Sequence, residues 1–424
     1  MGIKSILSSH LSLQQMTMIK RPVMYIRYAK SKLKKTYGLR KENKDIVAGV
    51  KSYSVVGKHV FFGYYDLQQF DKNEERLLVH VLDAQNCDHS RDPIELMYIE
   101  RNTGKFIPIT SSKAWSWQQG SRLRWHPTKE DYVLFNAVEN GHYATIVWDI
   151  KNGCKETSYP RAFYDVTPDF KYGLSVNFDR LQRLRPGYGY SCFQDNTTGV
   201  SVPENEGIVR YNIETGECKL IVSLKDLSER IPTTDDVEHY INHVSVAPSG
   251  KKFLFFHLWS STHTAKWNMK LYVADIDTGE LTCIEDKYII SHYCWKNDNE
   301  ILTTTGPKNG EKPKYIEYKL DKNSFEVQQG EWLNRDGHPT YIQGTGNFIS
   351  DTYPIDCIQY VFMEKGSIGT EIMRIYSDPR LFEEKRCDLH PRLSCDSKYI
   401  TVDSTYKNGL RQVVLMKMKN DWNQ

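Results

Sequence analysis

Seven short polar segments, most of them with a histidine, recur along this chain, and each one precedes stretches of β-branched and aromatic residues. The segments are Lys58–Asp66, Gln119–His126, Tyr164–Pro168, His239–His243, Ser291–Trp295, Asp336–Pro339 and Asp388–Arg392. Their starts lie 45 to 52 residues apart in four of the six intervals and 61 and 75 residues apart in the other two. A period of roughly 40 to 50 residues is enough chain for four short strands and is typical of the blades of a β-propeller, and the longer intervals indicate long loops. The spacing therefore predicts an all-β chain that folds as a seven-bladed β-propeller.

Turn sequences between the predicted outer strands support this count of blades. They are Asn102–Gly104, Lys151–Gly153, Glu214–Gly216 and Asp277–Gly279. Glycine-containing turns of this kind join adjacent strands in hairpins. No long helical period lies between residues 50 and 418, which argues against a parallel α/β fold. We therefore divide the chain into a basic, partly helical N-terminal extension at residues 1–50 and a propeller at residues 51–424.

The composition is that of a folded chain without a membrane-spanning segment, because no apolar run approaches the roughly 18 residues that a span needs. The 9 cysteines are odd in number and form no CxxC pair, which favours a reducing compartment over a disulfide framework. The apolar start of Ile6–His10 is interrupted too early for a secretory signal. We expect a cytoplasmic protein, with peripheral contact at the inner membrane face if the extension binds lipid.

Charge is distributed unevenly between the N-terminal extension and the rest of the chain. Residues 1–45 contain 11 Lys or Arg and 2 acidic residues, so the remaining chain has a formal charge of −6 against a total of +3. Residues 23–37 are predicted to form a helix with apolar and aromatic residues on one side and lysines on the other. Three interpretations are open: packing on the propeller or partial disorder, contact of residues 1–45 with an anionic membrane surface, or nucleic-acid binding. We expect no nucleic-acid partner, because no basic pattern interleaved with aromatic residues continues into the propeller.

Histidines recur at matching positions in four consecutive blade openings. They are His239, His243, His292, His338 and His390. The first strand of each blade lines the central channel of a propeller, so these side chains can meet although they are far apart in sequence. Neutral imidazole is a common ligand of divalent transition metals. We take His239, His292, His338 and His390 as candidate metal ligands. The alternative is that these histidines are satisfied by hydrogen bonds and join one blade to the next.

A cluster of arginines and a tyrosine follows the inner strands of the predicted third blade. Its members are Arg180, Arg183, Arg185 and Tyr188. Guanidinium groups bind carboxylates through paired hydrogen bonds, so this cluster predicts a site for an acidic ligand. The candidate substrate-binding residues are Arg180 and four residues at other blade openings: His59, Tyr65, Arg122 and Arg392. The alternative is a solvated loop with arginines paired to local acids and with aromatic residues used for packing.

Four motifs in the last blades resemble a known family. They are Ile241–His257, Ser291–Lys296, Asp336–Pro339 followed by Ser350–Pro354, and Arg386–Arg392. In these motifs the chain resembles the seven-bladed propellers related to oligogalacturonate lyase, over about residues 55–418. The resemblance implies a divalent metal in the channel, manganese in that family, held mainly by histidines together with a glutamine. His292 and His390 match the ligand positions best. Asp388 stands where the lyases have a second histidine, and Lys385 stands where the glutamine is expected.

The same resemblance implies β-elimination at a 4-linked uronate of an acidic oligosaccharide or polysaccharide. This reaction removes a proton beside a carboxylate, so positive charge is needed to stabilise the negative charge that develops. His243 or Tyr188 is the expected base. Arg183 and Arg185 are further catalytic candidates, although an arginine is a poor base at its ordinary pKa.

Two other functions are open from the sequence. The first is a glycan-binding propeller without catalytic activity that assists the assembly of a surface polysaccharide. The second is a protein-interaction scaffold of the WD-repeat kind. The scaffold is disfavoured because Trp148-Asp149 is the single Trp-Asp pair in the chain.

Overall fold

Seven antiparallel sheets make up the protein in a computed structural model, which describes residues 10–231, 236–285, 287–306, 311–420 and 422. Blade 1 is formed by β3 (Lys58–Phe61), β4 (Arg76–Asp83), β5 (Ile94–Glu100) and β6 (Phe106–Ser112). Blade 2 is formed by β7 (Arg124–Trp125), β8 (Tyr132–Glu139), β9 (His142–Asp149) and β10 (Cys154–Tyr159). Blade 3 is formed by β11 (Asp165–Val166), β12 (Tyr172–Ser175), β13 (Gly207–Asn212) and β14 (Cys218–Ser223). Blades 4 and 5 are formed by β15 (Val237–Val246), β16 (Lys252–Ser261), β17 (Trp267–Asp275) and β18 (Leu281–Glu285), then β19 (Ile290–Asn297), β20 (Glu300–Thr305), β21 (Tyr315–Lys319) and β22 (Ser324–Val327). The prediction of a seven-bladed propeller is confirmed.

The last two blades each include a strand from the beginning of the chain. Blade 6 contains β23 (Thr340–Tyr341), β24 (Phe348–Asp351), β25 (Ile358–Lys365) and β26 (Ile368–Tyr376), and β1 (Arg40–Glu42) pairs with β26 as a fifth strand. Blade 7 contains β27 (Arg392–Leu393), β28 (Tyr399–Ser404) and β29 (Gln412–Met418), and β2 (Val47–Tyr53) supplies its fourth strand. The ring is therefore closed by hydrogen bonds between β2 and β29. The predicted division at residue 50 falls within β2.

Short hairpins join the third and fourth strands of the blades, at the turns that the sequence predicted. In blade 2 the carboxylate of Asp149 accepts hydrogen bonds from the backbone nitrogens of Lys151 and Asn152, both at 2.9 Å, and Gly153 follows with φ +66°. An aspartate that bonds the backbone two residues on stabilises a tight turn, and glycine adopts the positive φ without a steric penalty. These local interactions explain why the turns are readable from the sequence.

The antiparallel order within each blade determines which loops share a face of the propeller. Three features of each blade lie on the same face: the start of the inner strand, the loop between the second and third strands, and the connection from the preceding blade. We call this the site face, because the residues that precede β23 and β27 lie there. The inner strands β7, β11, β23 and β27 are only two residues long, so the segments just before them approach the channel as loops. Buried apolar side chains fill the space between neighbouring blades, with the largest cluster in blades 3 to 5.

Helix α1 (Leu13–Leu33) lies on the site face. A capping box at Ser12 and Gln15 begins the helix. The helix starts ten residues before the helix predicted at residues 23–37 and ends four residues before that prediction. Lys20 Nζ lies 2.5 Å from Glu383 Oε1, and Ser31 Oγ lies 3.2 Å from the hydroxyl of Tyr376. Two short helices follow in the propeller, α2 (Phe178–Leu184) and α3 (Leu224–Glu229). None of the helices in the described part of the chain is both long and apolar enough to cross a bilayer.

Candidate functional site

Three buried side chains in the channel bring possible metal-ligand atoms together. One ligand atom each from His338, Asp388 and His390 lies within 4.8 Å of the other two. Asp351 at the end of β24 positions both histidines: its Oδ1 accepts from the backbone nitrogen of His338 at 2.8 Å and its Oδ2 from that of His390 at 3.1 Å. The loops before two adjacent inner strands are thereby held at one carboxylate.

The outer ring nitrogens of these two histidines are available to a ligand. The Nδ1 atoms face acceptors, since that of His338 lies 2.7 Å from Asp351 Oδ1 and that of His390 lies 2.8 Å from the carbonyl oxygen of Gly63. Each Nδ1 therefore donates to its acceptor, and in the neutral ring the lone pair is on Nε2. Burial alone would lower the pKa of His338, but the carboxylate of Asp351 raises it above its ordinary value. Both Nε2 atoms are buried, and neither has a hydrogen-bond partner among the described residues. A carboxylate or carbonyl behind the imidazole is the usual support of a metal-binding histidine.

The carboxylate of Asp388 is held in its charged form. Burial alone would raise its pKa, but the nearby guanidinium of Arg386 and the ring of His338 lower it below its usual value. Arg386 Nε donates to Asp388 Oδ2 at 2.7 Å. Burial also lowers the pKa of His390 well below its ordinary value. At neutral pH the cluster thus offers an anionic oxygen and a neutral imidazole.

His292 joins the same cluster, whereas His239 lies elsewhere. The ring of His292 is 3.9 Å from that of His338 between centroids, and its Nδ1 lies 3.2 Å from Asp336 Oδ1. His239 instead has its Nδ1 2.9 Å from Nε2 of His257 within blade 4. It lies near the start of β15, a strand of 10 residues, four positions before His243, and its ring stacks on that of His257. The structure therefore brings three of the four predicted metal ligands together.

His243 faces the channel at a break in the regular pairing of β15. Its φ is +54°, and the register between β15 and β16 shifts between Asn242 and Ser245. Such bulges turn a side chain out of the alternation of the strand. The ring of His243 stacks on Tyr64 at a centroid distance of 4.9 Å, and its buried Nδ1 has no partner among the described residues. Burial lowers the pKa of His243 well below its ordinary value, so its ring is neutral at neutral pH.

Two adjacent tyrosines from blade 1 fill the centre of the channel in different ways. The hydroxyl of Tyr65 donates to the carbonyl oxygen of Tyr293 at 2.6 Å and accepts from its backbone nitrogen at 2.9 Å, so this side chain ties blade 1 to blade 5. Tyr64 contacts the rings of His243 and His390, and its buried hydroxyl has no partner in the described chain. Both tyrosines follow Gly63 at the opening of blade 1, and only Tyr65 was among the predicted substrate-binding residues. The glycine at Gly63, which has φ +119°, marks the bend that places the tyrosines there.

Two arginines at the site face stand beside this cluster. Arg386 Nη2 donates to the hydroxyl of Tyr188 at 2.9 Å in addition to its bond with Asp388. The half-buried guanidinium of Arg185 stacks over Trp267 at 4.7 Å and over Tyr188 at 5.8 Å. No side chain of the described residues forms a hydrogen bond or an ion pair with it. Arg185 therefore has its donors available for an anionic ligand.

The other predicted arginines have their charge neutralised inside the protein. Arg122 forms a bidentate pair with Asp66, at 2.9 and 3.1 Å. Arg392 Nη2 donates to Asp403 Oδ1 at 2.9 Å, and both side chains are 2% exposed. A buried guanidinium requires such a partner, because an unpaired buried charge is very costly. The pair of Arg122 and Asp66 joins blades 2 and 1, whereas the pair of Arg392 and Asp403 lies within blade 7, from which Arg392 Nη1 donates to the carbonyl oxygen of Gly63 in blade 1 at 3.1 Å.

The arginines of α2 are engaged in the same manner. Arg183 bonds to Asp195 at 2.8 Å and to Glu238 at 2.5 Å, and the buried Arg180 lies 3.5 Å from Glu238. The remaining donors of Arg180 bond to backbone carbonyls, including that of Val200 at 2.9 Å. These two arginines hold the loop between β12 and β13 against blade 4.

His59 and Lys385 lie at the junction of blades 1 and 7. The Nδ1 atom of His59 accepts from the backbone nitrogen of Arg411 at 3.1 Å, and its ring meets the edge of Trp117 at 5.4 Å. Lys385 places its Nζ 5.4 Å over the same tryptophan. The residue at the position expected for a glutamine ligand therefore packs on an aromatic ring.

Taken together, seven blades around a polar, histidine-lined channel define a β-propeller with a buried site at one mouth. No protein-family model and no curated protein matches the sequence. Among solved structures, an oligogalacturonate lyase in complex with manganese aligns with a TM-score of 0.66 at 13% identity, over 91% of this chain and 97% of that one. The oligogalacturonate lyase from Vibrio parahaemolyticus aligns with a TM-score of 0.63 at 12% identity, over 91% and 98% of the two chains.

A chain of the mitotic checkpoint complex aligns less well, with a TM-score of 0.51 at 9% identity over 89% of this chain and 93% of that one. The predicted resemblance to the oligogalacturonate lyases is thus confirmed at the level of the fold. At these identities the similarity concerns architecture alone, and function must be argued from the side chains.

The residues in the channel fit a divalent metal ion. Two buried Nε2 atoms without partners and one ionised carboxylate make a mixed nitrogen and oxygen donor set, which suits divalent transition metals. The set differs from the one implied by the family, since Asp388 replaces a histidine and Lys385 makes other contacts. His292 is the fourth group beside this set.

Proposed function

We propose that this protein binds a divalent metal ion, manganese by resemblance, and an acidic glycan in its channel, and that it cleaves a 4-linked uronate by β-elimination. The observation on which this rests is the pair of buried Nε2 atoms of His338 and His390, which have no hydrogen-bond partner among the described residues, beside the carboxylate of Asp388. Buried polar atoms without partners are costly and rare, so their concentration at one place indicates a ligand. The manganese complex of the structurally similar lyase supports the choice of metal.

A bound divalent cation would supply positive charge close to the substrate carboxylate, which lowers the cost of removing the neighbouring proton. Arg185 is the residue best placed to bind that carboxylate, because no described side chain forms a hydrogen bond or an ion pair with its guanidinium. The aromatic faces of Trp267 and Tyr188 hold this guanidinium in place.

The proton at C5 of the uronate would pass to the unpartnered Nδ1 of His243 or to the hydroxyl of Tyr188. The electrons of the broken C5–H bond form a double bond between C4 and C5, and the oxygen at C4 leaves with its bonding electrons. A neutral imidazole can accept a proton without prior ionisation. The hydroxyl oxygen of Tyr188, the alternative acceptor, receives a hydrogen bond from Arg386 Nη2 at 2.9 Å.

The test begins with metal analysis of the purified protein after incubation with manganese. We expect near-stoichiometric metal in the wild type and in His142→Ala, a variant of an exposed histidine, and loss of metal in His338→Ala/His390→Ala. Incubation with oligogalacturonate should then generate an unsaturated product that absorbs in the near ultraviolet. A wild type that binds no metal, or metal binding that survives the double substitution, would contradict the proposed centre.

The second assay distinguishes the two candidate bases. His243→Ala and Tyr188→Phe should each be assayed for product formation and for oligosaccharide binding. We expect the variant of the true base to bind the sugar and to form no product. Unchanged turnover in both variants would remove them from the mechanism.

A second candidate function, glycan binding without catalysis, is favoured by one observation. One oxygen of Asp388 is already bonded to Arg386 at 2.7 Å, so part of the donor set is neutralised within the protein. In that case the wild type would bind acidic oligosaccharides, and the binding would depend on Arg185 with no unsaturated product formed.

A further inference from the structure

Helix α1 presents an uninterrupted apolar stripe to solvent. The side chains that pack on the propeller are spaced along one narrow line, with Met16 and Ser31 buried and Lys20, Met24 and Tyr28 half-buried. At 100° per residue, Gln15 in the first turn lies on the opposite side, and from residue 18 onward the residues on that side are all apolar. They are Met18, Ile19, Pro22, Tyr25, Ile26, Ala29 and Leu33. The side chains of Met18, Tyr25 and Leu33 are 74%, 57% and 83% exposed.

Basic residues border this stripe on both sides. Arg21 and Lys32 lie along one edge and Lys30 lies along the other, while the exposed Arg27 lies farther round the helix, toward the propeller. There is no acidic residue between residues 10 and 41. Arg21, Arg27 and Lys30 form no ion pair with any described residue, so their charges are free to meet an external anion.

The helix is fixed to the same face as the channel site. Lys20 pairs with Glu383, and Arg380 stacks 3.9 Å over the ring of Tyr28. Both contacts are made by the loop that joins β26 to β27, and the same loop continues into Asp388 and His390. Lys34 bonds to Asp356, in the loop between the second and third strands of blade 6, at 2.9 Å. The helix therefore has a fixed position next to the mouth of the site.

Other exposed apolar side chains concentrate on this face as well. Of the twelve large apolar side chains that are exposed in the described chain, ten belong to α1, to the segment after it or to loops of the site face. The loop residues are Val56, Val200 and Ile355. The two others, Phe325 and Ile368, lie at hairpins of the opposite face. Apolar surface concentrated in this manner marks a docking surface.

We propose that α1 binds the surface of an anionic membrane and that it places the site face of the propeller against the lipid. An apolar stripe with cations along both edges matches a lipid interface, in which acyl chains lie beneath a negatively charged layer of headgroups. The tyrosine within the stripe is suited to the same boundary. The substrate of the channel would then be presented at the membrane. The binding surface itself does not depend on the chemistry proposed for the channel.

The experiment is co-sedimentation of the full chain with vesicles of phosphatidylcholine alone and of phosphatidylcholine mixed with phosphatidylglycerol. We expect strong binding to the mixed vesicles, and weak binding to phosphatidylcholine. Ile19→Glu/Ile26→Glu should reduce binding about tenfold or more, because burial of one such side chain accounts for about that factor. Arg21→Gln/Lys30→Gln should reduce binding to the mixed vesicles by about twenty-fivefold, at about fivefold per charge.

Ile368→Glu is the matched control, since this side chain is 71% exposed and lies on the opposite face. Binding by this variant should equal that of the wild type, and thermal unfolding should confirm that all variants are folded. Equal binding to both kinds of vesicle, or undiminished binding by Ile19→Glu/Ile26→Glu, would overturn the proposal. A third outcome would also overturn it: in the absence of vesicles, the wild type is a dimer and Ile19→Glu/Ile26→Glu is a monomer. In that case a second copy of the chain would cover the stripe.

Discussion

Tyr64→Phe should stabilise the protein, although it removes a polar group from the centre of the site. The hydroxyl of Tyr64 is buried and has no hydrogen-bond partner in the described chain. A buried polar group without a partner costs about 1–3 kcal/mol of desolvation, and replacing it with an apolar group of the same shape recovers part of that cost. The stacking of the ring on His243 is kept. We expect a gain of about 1 kcal/mol in the free energy of unfolding.

Tyr188→Phe provides the matched comparison in the same channel. The hydroxyl of Tyr188 accepts a hydrogen bond from Arg386 at 2.9 Å, so its removal should cost about 1 kcal/mol. The two substitutions delete the same atom from neighbouring tyrosines, yet they should change stability in opposite directions.

Scanning calorimetry can resolve this difference. With about 2.1 cal/mol/K of unfolding entropy per residue, a chain of 424 residues has about 0.9 kcal/mol/K, so 1 kcal/mol corresponds to about 1 °C. The midpoints of the two variants should therefore differ by about 2 °C, with Tyr64→Phe above the wild type. A midpoint for Tyr64→Phe as low as that of Tyr188→Phe would show that the Tyr64 hydroxyl is hydrogen-bonded in solution and would refute the reasoning.

Three further outcomes are expected from the rest of the propeller. Burial lowers the pKa of His59 from 6.5 to about 4, so between these pH values the unfolded chain binds a proton that the folded protein does not bind. The free energy of unfolding should therefore fall as the pH falls through this window. Thermal unfolding measured at a series of pH values should show a smaller fall for His59→Gln. Gly279→Ala should destabilise the protein far more than Gly153→Ala, which should cost about 1–2 kcal/mol because its φ is positive. Both glycines have positive φ, but a Cβ at Gly279 would overlap the carbonyl oxygen of Ile221, whereas a Cβ at Gly153 would meet open space. Equal denaturation midpoints of the two variants would contradict this reasoning. Asp66→Asn should cost about 3–5 kcal/mol in a urea titration, because it weakens the bidentate partner of the buried Arg122.

The fold was predictable because its signals are local. A turn such as Asp275–Gly279 contains its own hydrogen-bond acceptor and its own glycine, so it can be recognised without knowledge of the rest of the chain. The convergence of His292, His338 and His390 was predictable for a related reason, since inner strands of a propeller share one axis.

The partners of the charged residues were not predictable in the same way. Arg122 meets Asp66, which lies 56 residues away in another blade, and no local pattern specifies that contact. His239 and His243 differ by four positions in one strand, but the bulge at His243 sends only the second toward the channel. The closing strand was hidden too, because β2 lies outside the repeating period and pairs with β29 at the far end of the sequence.

The pairing of β2 with β29 affects how the chain can fold. Both β1 and β2 leave the ribosome early, but their partners β26 and β29 are among the last strands to be synthesised. Until then the first two strands expose unpaired backbone groups, and so do the edges of the incomplete ring. Contacts between such distant segments also slow folding, because a very long loop must close before they form. A chain that stops before β29 would therefore keep two open edges and would be prone to aggregation, however well its first five blades had formed.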